Sequence, residues 1–392
     1  MGARVKFVYS DRFAGYDFSP THPMQPIRLK LTYDLLKDYG VFDGPKLQVV
    51  EGREASDDEL MLIHSPEYVD AIRRISETGE ESMDTYEYGI GYGDNPAFKG
   101  IHESSSLIAG SSIVAVDLVM SGEADHAINI AGGLHHAMRD RASGFCIYND
   151  CAMAAEHAAK AYGARVAYLD IDAHHGDGVQ VAFYDRSDVL TISLHEDGKF
   201  LFPGTGFVNE VGTGEGEGYS VNCPLEPGTY DRLYIAAFKQ IVPQIIRAFK
   251  PDLIISENGC DTHYTDPLAG LSLTTDAYEY LYAMIHHLAH EVCDGRLVAL
   301  GGGGYQAFQV VPRAWALLSA GLADIHLDDY TPVSWQSVCS KSAMAACPVK
   351  LRDKTLLTLG HPDSLERRVS GVVQKVHEKV FPYFGLSKDA VS

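Results

Sequence analysis

The sequence contains no run of lysine or arginine, and its formal charge is 32 − 53 = −21. A phosphate-backbone ligand requires the opposite balance, so no nucleic-acid partner is expected, whereas an acidic surface favours cationic substrates. No apolar run approaches the roughly 20 residues that span a bilayer. The opening MGARVKFVYS lacks the apolar core of a secretory leader. Lys6 stands where a myristoylation signal wants Ser or Thr, so no membrane role is expected. The seven cysteines, Cys146, Cys151, Cys223, Cys260, Cys293, Cys339 and Cys347, are odd in number, scattered and without a CxxC pair. Reduced thiols in a cytoplasmic protein are the simplest account.

Also missing are internal repeats and any Pro/Ser/Gly linker before about residue 322. This organisation implies one main domain, 1–321, followed by a more polar helical extension, 322–392, packed on the same domain. Val369, Val372, Val373, Val376 and Val380 suggest that an amphipathic helix closes the extension. GTGEGEG, from Gly212 to Gly218, reads as a flexible loop without the strand-turn-helix context of a dinucleotide fingerprint. No Lys-Ser/Thr follows Gly301 to Gly304, so a phosphate nest is not the reading of that run either.

What is present is a series of short, β-branched apolar runs: Val5–Tyr9, Leu47–Val50, Ala127–Ala131, Val166–Ile171, Val189–Leu194, Leu253–Ser256 and Leu297–Leu300. Helical stretches with apolar residues at three- and four-residue spacing lie between many of them: Ile27–Tyr39, Glu103–Met120, Asp150–Tyr162, Tyr230–Phe249 and Thr275–Val292. Continuous apolar strands alternating with helices predict an α/β fold with a mostly parallel central sheet covered on both faces. Ligands of such sheets bind outside the carboxyl ends of the strands.

Four polar clusters fall at those ends. LDIDAHHGDGV, Leu169 to Val179, holds three aspartates and two histidines; His135-His136 follows AINIAGG, Asp261 follows DLIISENGC, and Tyr305 follows RLVALGGGG. Any one of these histidines alone would read as a satisfied core residue; four clusters on one sheet edge do not. Asp172, His174 and Asp261 supply two hard oxygens and a nitrogen, a set that suits Zn²⁺ or Fe²⁺ and leaves positions open for water and substrate. Asp170 and Asp177 can orient nearby imidazoles, His135 and His136 form the acid/base pair, and Tyr305 offers a hydroxyl to a developing oxyanion. Together these parts suit metal-assisted hydrolysis of an amide or ester.

GGLHHA (132–137), GFCIYND (144–150), DIDAHHGDGV (170–179), FPGTG (202–206), GGGGY (301–305) and HPMQPIR (22–28) resemble the zinc-dependent histone deacetylase superfamily, in its class I-like bacterial branch of acetoin utilization proteins. The likeness covers roughly residues 3–321. It implies the arginase/deacetylase-like fold, with Asp172, His174 and Asp261 as metal ligands. It pairs His135 with Asp170 and His136 with Asp177, makes His136 the general base and later acid with His135 supporting it, and makes Tyr305 the oxyanion donor. Gly144, Phe145 and Phe202 match a narrow acetyl-lysine tunnel, Leu268 an apolar residue at its rim, Asp94 a rim acceptor for the substrate backbone, and Arg28 an inner channel. Two K⁺ sites are implied as well. One uses Asp170, Asp172 and Ser193 with the carbonyls of His174 and Leu194; the other uses the carbonyls of Phe183, Arg186, Val189 and Tyr219.

The likeness is incomplete in places: Leu201 stands before Phe202 where nuclear enzymes tend to have an aromatic, and the loop that carries Asp94 is offset by one residue. Gln25, Pro267 and Phe308 stand where nuclear class I enzymes bind an inositol phosphate through basic side chains, and none of them can pair with phosphate. A free-standing cytoplasmic lysine deacetylase without an inositol-phosphate-dependent corepressor is therefore expected. Its partners would be acetylated lysine side chains of proteins, metabolic enzymes such as acetyl-CoA synthetase among them. The alternatives are an acetylpolyamine amidohydrolase, an arginase-like two-metal hydrolase and a non-catalytic acyl-lysine binding protein.

Overall fold

In the computed structural model, which describes residues 4–91, 93–354 and 363–387, one eight-stranded sheet organises the molecule. Its strands are β1 Val5–Tyr9, β2 Leu47–Glu51, β3 His126–Asn129, β4 Val166–Asp170, β5 Val189–Glu196, β6 Ser220–Leu225, β7 Leu253–Glu257 and β8 Leu297–Leu300. They lie in the order β2-β1-β3-β8-β7-β4-β5-β6, and every pairing is parallel. Parallel neighbours need crossovers, and helices supply them. One group, Pro66–Thr78, Ile101–Met120 and Asp150–Tyr162, packs together; a second group contains Ile27–Asp38, Asp231–Phe249, Thr275–Val292 and Val311–Leu322. β3, β4, β7 and β8 are buried along their whole length, as strands covered on both faces must be.

Register aligns the carboxyl ends of these strands. Asn129 pairs with Leu300, Leu300 with Glu257, Glu257 with Asp170, and Asp170 with Ser193, so one level row runs across β3, β8, β7, β4 and β5. All four polar clusters continue from that row.

Four expectations need correction. Helix Ile101–Met120 is long and apolar enough to cross a membrane, yet most of it is buried inside the fold. Its hydroxyls explain how it reads as interrupted in sequence but is mostly buried: Ser104, Ser105 and Ser111 donate to the carbonyls of Gly100, Ile101 and Leu107 one turn back. Strand β6 went unread because Pro224 and Asn222 interrupt its apolar pattern; it is one of the two edge strands, where proline costs no ladder hydrogen bond. GTGEGEG is a packed turn rather than a free loop, since a Cβ on Gly216 would lie 2.5 Å from the Arg186 amide and 2.6 Å from the Tyr184 carbonyl. Finally, Cys339 and Cys347 are bonded across a Cα separation of 6.0 Å, while the other five cysteines are free and buried. Eight residues of separation carry no pairing signal in a sequence without a CxxC.

Beyond residue 322, helix Val333–Ala343 packs on helix Ile27–Asp38, and helix Asp363–Lys379 lies against β6 and helix Asp231–Phe249. The closing helix buries Leu365, Val369, Val373 and Val376 and so covers an otherwise open sheet edge.

Candidate active site

β4 ends at Asp170, and the chain then turns through Asp172 and His174 into helix Asp177–Ala182. The carboxylates here are placed by backbone N–H groups. Asp172 Oδ1 accepts from the His174 amide at 2.8 Å, and its Oδ2 accepts from the Gly303 amide at 2.7 Å in the loop after β8. Asp261, after β7, accepts from the Ala173 amide at 2.8 Å. His174 Nδ1 then lies 3.1 Å from Asp172 and 2.9 Å from Asp261. Two loops thus bring three donor atoms of three buried residues within 4.8 Å of one another.

Charge is unevenly balanced across this set. Burial pushes His174 down, but Asp261 and Asp172 together lift it well above the usual imidazole range. Burial also raises Asp261, with Asp172 adding to the shift, to about 6. Asp172 is pulled below the carboxylate range despite its burial, by His174 and His135. Two buried carboxylates around one shared proton are an excess of negative charge that a divalent cation would neutralise, so the donor chemistry fits Zn²⁺ or Fe²⁺.

The tandem histidines come from the long loop after β3. His135 Nδ1 is 2.8 Å from Asp170, His136 Nδ1 is 2.7 Å from Asp177, and the two Nε2 atoms are 3.1 Å apart. Burial opposes a charge on His135, but Asp170 outweighs it and raises the ring to about 9. His136 is lowered, by burial and by His135, against the pull of Asp177. The two rings are thus shifted in opposite directions, His135 toward the cation and His136 toward the neutral imidazole.

Tyr305 sits edge-on to Phe145, with ring centroids 5.7 Å apart, and to His174 at 6.4 Å. Burial and the nearby Asp261 hold its phenol protonated, well above the usual tyrosine value. Phe202 lies edge-on to His136 at 5.0 Å and is 43 % exposed, which places it where the site meets solvent. Gly144 stands between these rings: a Cβ there would come 2.5 Å from His136 and 2.8 Å from Phe202. Phe145 adopts φ +67°, and its carbonyl accepts from the Tyr16 hydroxyl at 2.6 Å. Asp94 is exposed; its carbonyl lies 3.2 Å from His22 Nε2, and the His22 ring packs on Phe145 at 4.6 Å. Leu268 is 36 % exposed, and the buried Arg28 donates to the Gly304 carbonyl at 3.1 Å behind Tyr305.

Of the K⁺ expectations, Ser193 lies beside Asp170 across β4 and β5, next to the metal-ligand set. The second set, Phe183, Arg186, Val189 and Tyr219, gathers at the other end of the sheet, where β5 begins and just before β6. The structure does not bring it to the site.

Several placing residues escaped the sequence reading. Asp150, at the start of its helix, accepts from the Gly133 and Leu134 amides at 3.1 and 2.8 Å and from Ser112 at 2.6 Å, which fixes the loop just before His135. Asn149 donates to the carbonyls of His135 and Ala137. Asp266 accepts from the amides of Leu268 and Tyr305, each at 2.9 Å, and is raised to about 7 by burial and Asp261. Glu257, at the end of β7 and 3.9 Å from His135, is lifted well above the carboxylate range by burial and by Asp170. The Asn-Asp pair in GFCIYND was the available signal; nothing local marks Glu257 or Asp266.

A histone deacetylase domain matches residues 22–322. The acetoin utilization protein AcuC of Bacillus subtilis is 45 % identical over 347 residues, covering 88 % of this chain and 89 % of its own length. AcuC of Staphylococcus aureus (strain MRSA252) is 42 % identical over 353 residues, covering 90 % of each chain. The crystal structure of a histone deacetylase homologue from Aquifex aeolicus superposes with a TM-score of 0.84 at 28 % identity, covering 94 % of this chain and all of that one. A histone deacetylase homologue solved in complex with SAHA gives a TM-score of 0.85 at the same identity and coverage.

Proposed function

The chain belongs to the histone deacetylase family, in its bacterial acetoin utilization branch, and from that premise we propose a metal-dependent hydrolase that converts N6-acetyl-lysine to lysine and acetate. The observation that carries this reading is the meeting, at one sheet edge, of the three-residue donor set, the polarised histidine pair and the Tyr305 phenol behind Phe145 and Phe202. Asp172, His174 and Asp261 would hold Zn²⁺, or Fe²⁺, whose Lewis acidity makes a water nucleophilic near neutral pH and polarises a carbonyl.

The chain's own residues supply the remaining steps. His136 is the neutral base: Asp177 holds its Nδ1–H, so Nε2 takes the proton from the attacking water and later returns it to the departing lysine amine. His135, kept cationic by Asp170, supports the charge that develops beside it. Tyr305, protonated, donates to the oxyanion. Gly144, Phe145 and Phe202 line a slot that accepts a thin methylene chain. Leu268 and the Asp94 carboxylate sit at its rim, the latter to accept from a peptide backbone, and Arg28 lies on the inner side, where acetate would leave. K⁺ on Asp170, Asp172 and Ser193 with the carbonyls of His174 and Leu194 would add positive charge beside His135. A second K⁺ on the Phe183, Arg186, Val189 and Tyr219 carbonyls would be structural.

Residues 1–321 form the catalytic unit in this reading, with 322–392 packed on it. The substrates are acetylated proteins of the cytoplasm, metabolic enzymes such as acetyl-CoA synthetase among them. Gln25, Pro267 and Phe308 offer no cation to an inositol phosphate, which supports a free-standing enzyme. A charge of −21 favours a second substrate class, acetylpolyamines, for the same chemistry. Acetate release from acetyl-lysine peptides, with Zn²⁺, Fe²⁺ or Co²⁺ supplied, tests the proposal. No release with any of the three overturns it, and a kcat/KM preference of about 100-fold for acetylspermidine, about 2.7 kcal/mol, reassigns the substrate.

A further inference from the structure

We propose a second transition-metal site, made of His126, His286 and His290, at the end of the sheet away from the catalytic residues. His126 is the first residue of β3, whose far end leads to His135 and His136. His286 and His290 are four apart on helix Thr275–Val292 and therefore share a face. That face meets the start of β3, so the three imidazoles come from two elements far apart in sequence. His286 Nε2 is 2.9 Å from His126 Nε2 and 3.0 Å from His290 Nε2, and the three donor atoms lie within 4.8 Å of one another.

Around a tetrahedral ion with metal–nitrogen bonds of about 2.0–2.1 Å, neighbouring donors stand about 3.3 Å apart, so the His286 contacts to His126 and His290 need to open by only a few tenths of an ångström to admit an ion. Exposure is graded: His126 is fully buried, His286 partly buried and His290 exposed, which gives an ion a path in and leaves its remaining position facing water. His290 occupies the last turn of its helix, where the free carbonyl ends favour a cation. The backbone at Gly295 allows this approach, because a Cβ there would lie 2.8 Å from the His290 ring. A purely imidazole set selects Zn²⁺, Ni²⁺ or Cu²⁺ over Mg²⁺ or Ca²⁺, which require oxygen.

A bound ion would pin the start of β3 to the end of helix Thr275–Val292. Its effect is on stability, and none of its ligands touches the reacting atoms. The test is a zinc count by plasma emission on full-length protein, stripped with chelator, reloaded and dialysed. Wild type should carry two Zn²⁺ per chain. The His286→Asn/His290→Asn variant should carry one, with unchanged turnover at saturating Zn²⁺ and without the rise in Tm that the second equivalent gives wild type. Equal zinc content in the two proteins overturns the proposal. If the double variant does not fold, His290→Asn alone, at an exposed position, replaces it in competition with a chromophoric chelator; wild-type Zn²⁺ affinity for the second equivalent then overturns the site. The count is independent of whether the catalytic centre hydrolyses acetyl-lysine.

Discussion

Tyr305 and Asp261 lie in neighbouring loops and face the same centre, yet their substitutions should separate. Tyr305→Phe keeps the ring against Phe145 and His174 and removes only the hydroxyl. Its kcat should fall by about 10² to 10³, or roughly 2.7 to 4 kcal/mol, with metal content unchanged. Asp261→Ala removes one of three donors and should lose metal and activity together, as metal analysis beside turnover will show. Retention of near wild-type kcat in Tyr305→Phe would refute the oxyanion role. Gly144→Ala tests the slot. The added methyl meets His136 and Phe202 at a backbone φ of +52°, so kcat/KM for acetyl-lysine peptides should drop by about tenfold or more, with a stability cost of about 1 kcal/mol. A variant with unaltered kcat/KM would remove Gly144 from the substrate path. At this scale the sequence was informative wherever chemistry and spacing coincide, as in DIDAHHGDGV. It was silent on Asp266, which acts only through the amides of Leu268 and Tyr305.

Between elements, Asp353 is the tie that holds the segment after helix Val333–Ala343 to the main fold. It lies 2.8 Å from Arg313 and 2.9 Å from His263 Nε2, and it accepts from the Thr275 amide at 2.9 Å. Burial alone would raise this carboxyl, but His263 and Arg313 pull it well below the usual range. Asp353→Asn leaves the buried Arg313 without its counter-ion and should cost about 3 kcal/mol near neutral pH, read from denaturant midpoints. Because the folded-state value is depressed, this contribution is complete above the unfolded carboxylate value of about 3.9 and is lost as pH falls through the folded one. The gap between wild type and variant should therefore hold from pH 7 to about pH 5 and narrow on further acidification. A gap that widened instead would show that the ion pair is not its source. The closing helix was legible from its valine spacing, but its docking against β6 was not, since β6 itself was hidden by Pro224 and Asn222.

Over the whole molecule, the charge of −21 acts at long range on whatever approaches the slot. For lysine-rich acetylated peptides kcat/KM should fall by an order of magnitude, about tenfold, between low and high salt, with kcat little changed, because screening weakens encounter and not chemistry. A salt-independent kcat/KM would show that the acidic surface does not steer substrate. The sequence by itself determined the alternation of buried strands and helices, the strand ends at which the polar clusters collect and the residue types there, because periodicity and residue chemistry are local. Only the tertiary structure decided that β3, β8, β7 and β4 are neighbours, and so that His135, Tyr305, Asp261 and Asp172 share one centre. It likewise decided that a buried helix apolar enough for a membrane belongs to the core, that Cys339 meets Cys347, and that His126 meets His286. Strand order and long-range contact depend on how whole faces bury against one another, and no short window of residues encodes that.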